Sequence, residues 1–546
     1  MTSEVDLSTE ARTQQAARVP RARTRAGATA HRPPVVVRSR RVGPGPDAVL
    51  GLVWALVGLG VFSWRVGVPS PWRDEAVTVA VANRSAEQIW RLVQHVDLVH
   101  APFYFLVHAL FGPSATVVQA RWPSVLAAAA TAPLLHGLAR RLALPAVGPR
   151  TARLAGATAA ALWVATPLVS RYAQEARPYA LATLVATASA YLLVRACGSA
   201  RRGWWVGYAL TLPLLTALNT LALMVLPAHA GLLLLRGAGA VAGARRRGAV
   251  AGGAGLLLAL PLLVAQSTQQ GQVAFLRPPL LRQLGEHVVF ALGSPLTVAL
   301  AAGAVALAVW RARGRALLAV GLLWGAAPVP ALWLLSQVHP LWTTRYLVVV
   351  VPGTCLLLAA AVTAALPGAR GGRWVRWVRV LPAAVALVLV AGTALAGLRV
   401  QLVFRDAQLG HAEDLRGTAA YLAEHARAGD GLLFVPDGEY RYRVLTQLYP
   451  EAFAGLRDLA LDRPAAESAT LVGTVLPPQE LAGALEGTGR VWVVGGSGPV
   501  VTASEQDRET LRLLQEGYRV AREQHLRAFG VRLYVARDRP GAVLAA

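Results

Sequence analysis

The acidic pair Asp74-Glu75 stands in the segment SPWRDEAVTV, just after the first apolar run of membrane-crossing length, in a chain that otherwise keeps its carboxylates out of apolar stretches. Charged groups beside hydrocarbon are costly unless they are paired, hydrated or put to use. A carboxylate at a membrane surface can take the proton of an acceptor hydroxyl as that oxygen attacks, which is general-base chemistry on a lipid-borne substrate. The bland alternative is a solvated helix start, because Asp and Glu also complement the positive end of a helix in its first turn.

Three further polar clusters have chemistry to offer. In VDLVHAPFYFLVH, Asp97 and His100 are three apart and share one helix face before Pro102 reshapes the chain; His100 reads equally as a helix cap or a substrate ligand, and His108 as a packing histidine. The turn SRYAQEARPYAL packs Arg171, Tyr172, Gln174, Glu175, Arg177 and Tyr179 into nine residues, with Pro178 placed to open a helix and Arg177 at its mouth. A helix N-terminus plus a guanidinium is a natural anion site; the alternative is an Arg171-Glu175 pair, four apart, that merely seals the turn. In HPLWTTRYLVVVVPG, His339, Trp342, Thr343 and Thr344 lead to Arg345 at the start of an apolar run. That arginine is an interfacial anchor or a ligand for a lipid phosphate. Arg121, in QARWPSVLA, is expected to brace the first loop by pairing with a carboxylate rather than to touch substrate.

The elements that must position these residues are membrane spans. Of the 546 residues, 55% are hydrophobic and 15% charged, with a mean hydropathy of +0.45, so most of the chain belongs in a bilayer. The net charge of +25 would suit nucleic acid, but every basic residue is arginine, which reflects a GC-rich genome, and the arginines gather in short runs between apolar spans as topology signals do. Nucleic acid is not expected as a partner. Cys197 and Cys355 form no CxxC and have no histidine at ligand spacing, so neither a disulfide framework nor a zinc site is expected. Runs long enough to cross about 30 Å of hydrocarbon fall at 48–66, 118–138, 152–170, 178–196, 204–218, 219–236, 248–266, 287–310, 316–335, 345–366 and 379–398, which makes about eleven transmembrane helices.

Residues 1–46 read as a disordered, basic, cytoplasmic arm. The first outer loop, 67–117, holds an amphipathic stretch from Glu75 to Val96 and the short apolar piece 101–112, both expected along the outer leaflet. Within the transmembrane region 47–398, a cytoplasmic N-terminus puts every dense arginine run inside. An odd span count then places 399–546 outside. That segment reads as a small α/β domain, with a helix over 413–430, strands at 431–436, 469–476, 490–496 and 531–537, and a further helix at 505–516. Gly495-Gly496-Ser497-Gly498 reads as a strand-ending turn rather than a phosphate loop.

The order of these segments, RDEA, DLVHAPFYFLVH, ARWPSVLAAAAT, YAQEARPYAL, TTRYLVVVVPG and then EDLRGTAAYLAEHARAGD opening a soluble tail, resembles the GT-C membrane glycosyltransferases. It is most similar to actinobacterial mannosyltransferase-like proteins related to glycosyltransferase family 39 and to the dolichyl-phosphate-mannose protein mannosyltransferases. The resemblance covers about 48–540. It implies transfer of a hexosyl group, mannose first, from a polyprenyl-phosphate sugar to a glycan, lipid or protein outside the plasma membrane. It maps the family's acidic motif onto Asp74 and Glu75 as catalytic residues, and its QEARxY turn onto Gln174, Glu175, Arg177 and Tyr179. The chain departs from the family at His100-Ala101-Pro102, where relatives carry HPP or HG, and at Asn219, where a histidine is common.

On this reading Asp74 is the base, Glu75 and Glu175 orient it or the sugar, Arg177 and Arg345 neutralise the departing phosphate, and Asp97, His100, Tyr179 and His339 complete the binding set. A monophosphate held by arginines needs no divalent metal, so no cofactor is expected beyond the lipid-linked donor. The rivals are a multi-span transporter, which would keep polar residues at mid-membrane on broken helices, and an envelope assembly protein that binds glycan without turnover. Reporter fusions at residues 20, 145, 242 and 430 test the topology. Inside signals are expected at the first three and an outside signal at 430; an inside signal at 430 breaks the odd span count.

Overall fold

The computed structural model describes residues 45–235, 241–269, 271, 275–366, 380–437, 440–498 and 504–537. The expectation for the arm 1–46 therefore falls almost wholly outside the described residues. From Pro46 onward the helices are, in chain order, α1 (Pro46–Ser63), α2 (Arg73–Ala82), α3 (Ala86–Val93), α4 (Ala101–Phe111), α5 (Val117–Ala143), α6 (Pro149–Ala165), α7 (Pro167–Ala173), α8 (Tyr179–Cys197), α9 (Arg202–Leu218), α10 (Leu226–Leu235), α11 (Ala244–Ser267), α12 (Leu281–Leu292), α13 (Pro295–Arg311), α14 (Arg315–Gly321), α15 (Pro328–Leu335), α16 (Val351–Ala364), α17 (Leu381–Phe404), α18 (Leu415–His425) and α19 (Tyr440–Leu448). A long helix over 505–517 follows within the C-terminal region.

Over the described residues each apolar window expected from the sequence is largely helical, but not every one is a straight, membrane-length helix. Among the described residues six helices are long and apolar enough to cross a membrane, or eight if each of two bent pairs counts as one span. The windows at 118–138, 204–218 and 219–236 do not meet that measure. Helix α5 is long but carries Arg121, His136, Arg140, Arg141 and two internal prolines, and the third of these windows is a 3-10 turn run into the short α10. The window 287–310 is broken at Gly293-Ser294, where α12 and α13 meet at 88°. Gly293 sits at φ 92°, and a Cβ there would press on the Gly397 backbone, so the break needs glycine on both counts. The second bend, 62° between α6 and α7 at Thr166-Pro167, follows from a proline that cannot continue the hydrogen-bond ladder.

The bundle core is built of small residues where helices cross. Gly321, Gly325 and Gly353 stand so close to the facing backbone that a Cβ at any of them would meet backbone atoms at 2.2 to 2.6 Å, and α16 is buried along its whole length. Alanine and glycine are how membrane helices approach closely when lipid offers no hydrophobic driving force between them.

The C-terminal region is a five-stranded sheet flanked by helices. Its strands are β1 (Gly431–Val435), β2 (Arg457–Asp458), β5 (Arg490–Gly495), β6 (Tyr518–Leu526) and β7 (Phe529–Ala536); a separate hairpin pairs β3 (Leu461–Arg463) with β4 (Thr474–Val475). The order is β2-β1-β5-β7-β6, with β1 parallel to β2 and β5, and β7 antiparallel to both its neighbours. Three of the four expected strands are present. Of the expected 469–476 run only Thr474–Val475 is a strand, in the side hairpin. Strand β6 went unread because YRVAREQHL is an edge strand whose charged residues face outward, the pattern that blunts an edge against aggregation.

The first outer loop is not an interfacial strap. The stretch from Glu75 to Val96 splits at Asn83, and the Ser85–Gln88 capping box starts a new helix, α3. Ala76, Val77, Ala80, Val81, Ile89, Leu92 and Tyr104 then share one core with Leu415, Leu432, Phe434, Leu445 and Trp492 of the C-terminal region. Arg84 secures the seam by donating to the carbonyls of Thr470 (2.8 Å) and Leu471 (3.1 Å).

One ion pair ties this outer layer to the bundle. Arg121 grips Glu75 with both Nε and Nη2 at 2.7 Å, and its Nη1 donates to the carbonyls of Val66 (2.7 Å) and Pro69 (3.1 Å). Both side chains are fully buried. Truncating one partner of such a pair strands the other charge, which costs about 3–5 kcal/mol, whereas an exposed pair is worth about 0–1 kcal/mol. Arg121→Ala is therefore expected to lower stability in denaturant or thermal unfolding far more than Glu87→Ala, which breaks the exposed Arg91–Glu87 pair. Equal effects would show that Arg121 is not the brace.

Candidate active site

Helix α2 opens at Arg73 after Trp72, whose extended backbone lets the chain turn in. Asp74 and Glu75 both fall in the first turn but point different ways, because successive helical residues are separated by about 100°. Glu75 faces Arg121 in the bundle. Asp74 faces outward into a cluster: Arg345 Nη1 donates to its Oδ2 at 2.6 Å, Arg177 Nη2 stands 3.2 Å from the same oxygen, and the Tyr440 hydroxyl donates to Oδ1 at 3.0 Å. Burial alone would raise the Asp74 carboxyl, but the Arg177 and Arg345 guanidiniums, with the Tyr440 hydroxyl, outweigh it and hold the group below its ordinary value.

Each guanidinium is placed by a helix end. Arg177 sits two residues before α8, its backbone carbonyl held by Ser124 Oγ at 2.9 Å. Arg345 lies in the first turn of the 3-10 segment Thr344–Val350 that runs into α16. Its guanidinium is over the rings of Trp72 (5.7 Å) and Tyr346 (5.9 Å), and cation-π contacts of this kind fix its plane. Arg177 Nε and Nη1 and Arg345 Nε are buried without a hydrogen-bond partner. Two cations thus share one carboxylate and keep donors unspent, a surplus that an incoming oxyanion would satisfy.

Around this centre lie further expected residues. Asp97 adopts φ 61° and accepts a 2.6 Å hydrogen bond from Tyr104; burial raises its carboxyl against the pull of Arg177. His100 stands against Tyr104 with its Nδ1 unpartnered, and burial together with Arg177 pushes the imidazole well below its ordinary value, so it is neutral at pH 7. Tyr179, the first residue of α8, packs edge-on against Tyr346 and Tyr172.

Other expected residues are engaged elsewhere. Glu75 is enclosed by Arg121, the Ala176 amide (3.0 Å) and His411 (3.7 Å), and has no path to a substrate. Gln174 donates to the carbonyls of Phe62 (2.7 Å) and Trp64 (2.8 Å), closing the end of α1. Arg171 donates to the Gly410 carbonyl at 2.8 Å instead of sealing the turn with Glu175. Glu175 is fully buried with neither carboxyl oxygen hydrogen-bonded. His339 lies exposed on the surface, with a backbone bond to Leu335 and no contact to the Asp74 cluster. Asn219 caps its own 3-10 turn through the Leu221 amide.

Tyr440, Trp72, Tyr346 and Tyr104 went unread. Tyr440 lies in GEYRYR, 366 residues from Asp74, with nothing local to mark it. Trp72 stands two residues before Asp74 and Tyr346 directly after Arg345, so both could have been found by asking which aromatics flank the expected site residues. Among the described residues no three His, Cys, Asp or Glu side chains gather as a metal-binding group. The polar atoms at the centre of the cluster, two guanidiniums and phenols around the Asp74 carboxylate, with the Asp97 carboxyl beside them, leave guanidinium donors for an anionic ligand.

No family model and no curated protein matches this sequence. Among solved structures, ArnT from Cupriavidus metallidurans in the apo state superposes over 88% of this chain and 97% of its own, with a TM-score of 0.54 at 14% identity. ArnT from the same organism bound to undecaprenyl phosphate matches over 89% and 98%, with a TM-score of 0.52 at 15% identity. The fold is therefore the GT-C membrane architecture, a helical bundle with a small C-terminal sheet region.

The buried Glu175 carboxyl makes a direct prediction. Burial, reinforced by Glu75 and Asp74 and opposed by Arg171 and Arg177, pushes it up to about 8 from 4.5. The folded state then binds a proton that the unfolded state has lost, so this group's contribution is full below pH 4.5 and declines as pH rises to about 8. Glu175→Gln is expected to flatten the fall in unfolding temperature between pH 5 and pH 8, with its largest gain at the alkaline end. An unchanged slope would mean that Glu175 is ionised throughout.

Proposed function

We propose that the chain is a membrane glycosyltransferase that takes a sugar from a polyprenyl-phosphate carrier and passes it to an acceptor hydroxyl. The observation that carries this reading is the pair Arg177 and Arg345, with unspent donors, on either side of the buried Asp74 carboxylate. A neighbour in fold, ArnT, has been crystallised bound to undecaprenyl phosphate, which supports a carrier of that class. The charged cluster gathers at one end of the bundle, under the C-terminal region, rather than at mid-helix, which favours a surface-acting transferase over a transporter.

In the resting site Asp74 is a poor base, because two cations stabilise its charge. A donor phosphate entering between Arg177 and Arg345 competes for their N–H groups and releases the carboxylate, which becomes more basic as it loses them. Asp74 then accepts the proton of the acceptor hydroxyl while that oxygen bonds to the anomeric carbon; the bond from that carbon to the phosphate oxygen breaks, and the sugar inverts. Charge grows on the departing oxygen in the transition state, where the guanidiniums are worth most. Tyr440 holds the second carboxylate oxygen and fixes its direction. Glu75 positions α2 through Arg121 and takes no part in proton transfer, a revision of the catalytic role expected from its sequence. Glu175 completes a buried, uncharged wall behind the site, and His339 has no role in this reading.

The finer reading adds mannose as the sugar, an extracytoplasmic glycan, lipid or protein as acceptor, and the outer face of the plasma membrane as the place. Guanidiniums provide the charge compensation for the phosphate.

The test separates binding from turnover. General-base assistance is worth about 10² to 10⁴ in rate, so Asp74→Asn is expected to bind a polyprenyl-phosphate sugar in detergent while losing transfer by that factor. Arg345→Lys keeps the charge but loses the fork and is expected to weaken donor binding itself. Transfer by Asp74→Asn at the native rate would remove Asp74 as the base; unchanged donor affinity in Arg345→Ala would leave that arginine a membrane anchor.

A further inference from the structure

A second charged site lies at the opposite end of the bundle. A groove of about 530 Å³ opens between the N-terminal half of α1, the C-terminal half of α5 and the side of α8, lined on its polar side by Asp47, His136, Arg140, Arg141 and Tyr191. The Asp47 carboxylate is already shared between Arg140 (2.9 Å) and Arg153 (3.0 Å). Arg141 stacks over the Tyr191 ring at 5.5 Å and meets no carboxylate among the described residues. The local balance is therefore positive. Arg140 Nε and His136 Nε2 are buried without a hydrogen-bond partner, and His136 is only 2% exposed. The groove's other wall is apolar: Leu52, Ala55 and Leu134 line it, and Val49, Leu52, Val53 and Leu56 continue outward as an exposed apolar face of α1.

We infer that this groove binds the headgroup of an anionic phospholipid, with its acyl chains along the apolar face of α1. A free anion would use the arginines and leave the apolar wall bare; a neutral lipid would use the wall and leave the arginines and the buried imidazole unsatisfied. One ligand with a phosphate at one end and hydrocarbon at the other meets both, and basic pockets between helices at a membrane edge recognise such lipids. The distance fits as well. Arg121 at the active-site end of α5 and Arg140 at the groove are nineteen residues apart, about 28 Å along a helix, close to the hydrocarbon thickness of about 30 Å. The groove therefore sits at the bilayer surface opposite the Asp74 site, and its lipid is distinct from the donor.

Full-length protein in phosphatidylcholine nanodiscs, titrated with phosphatidylglycerol and read by native mass spectrometry and thermal shift, tests this. Retention of phosphatidylglycerol and a dose-dependent rise in unfolding temperature are expected. Arg141→Gln, which strands no buried charge, is expected to weaken retention several-fold, and Leu52→Trp to block it by filling the apolar wall. Asp47→Asn, which frees Arg140 and Arg153, is expected to strengthen it, the reverse of what a purely structural loss would do. Equal retention by all three variants and the native chain would overturn the proposal. So would an equal thermal shift from inorganic phosphate, which would make the groove a soluble-anion site. Donor binding by Arg141→Gln should match the native chain, so failure here leaves the reading of the Asp74 site standing.

Discussion

The fully buried Glu75–Arg121 pair is the constraint on which the outer half of the molecule depends. A charge inside a protein costs more than a single partner returns unless its remaining hydrogen-bonding capacity is met, and here it is met on both sides. Arg121 satisfies the carbonyls at the end of the loop leaving α1, and the Ala176 amide completes the carboxylate. The pair thus fixes, in one knot, the exit from α1, the start of α2, the start of α5 and the turn before α8. Because α2 is fixed through Glu75, its neighbour Asp74 is presented in a set direction without having to be held by its own ligands. An anchor and a reactive group on adjacent residues of one helical turn is an economical way to aim a carboxylate that must change partners.

The C-terminal region is part of the site and not an appendage to it. Tyr440 reaches Asp74, Glu413 accepts from both the backbone and the Nε of Arg73 (2.8 and 2.7 Å), and His411 stacks on Trp72. Helix α19 lies on α2 with apolar faces shared. The sheet behind α19 is held by its own buried charge, Arg443 between Asp437 (2.8 Å) and Asp458 (2.9 Å). The sheet therefore contributes rigidity at the place where a phenol must keep its angle to a carboxylate, and the first outer loop acquires a solid backing that a stretch lying in lipid headgroups would lack.

What the sequence made legible follows from where the information is local. Apolar windows, proline and glycine breaks, and the arginine-bearing helix mouths at Arg177 and Arg345 are written within a dozen residues, and the structure brings both arginines onto Asp74. The division of labour inside Asp74-Glu75 was not legible, because two adjacent carboxylates are chemically alike and only the position of Arg121, 46 residues on, separates them. The outer-loop helix read as amphipathic for a lipid surface because its apolar face is real; the surface that covers it is a sheet more than 300 residues downstream. His339 illustrates the converse, since proximity in sequence to Arg345 did not bring it into the cluster: it lies exposed in the bend that follows α15, before the irregular stretch 340–343 that leads to the 3-10 segment.

The cluster is held by mutual pairing, and that bears on how such a site works at a membrane. Asp74 neutralises part of the charge of two guanidiniums that would otherwise be left buried with unmet donors, and the guanidiniums in turn keep Asp74 ionised. Each stabilises the other. In the proposed mechanism the donor is a phosphodiester, singly charged like the carboxylate, and its two free oxygens give both guanidiniums an acceptor, so its arrival exchanges one set of pairs for another without exposing a bare charge; the phosphate gains its second charge only as the sugar leaves, when the guanidiniums are worth most. In that mechanism the exchange also orders events: the carboxylate becomes a competent base only when the leaving group is already gripped, which keeps acceptor hydroxyls from being activated ahead of the donor. Arg177 and Arg345 hold three buried nitrogens without a hydrogen-bond partner, and in the proposed mechanism these give the exchange a place to begin before Asp74 has to let go.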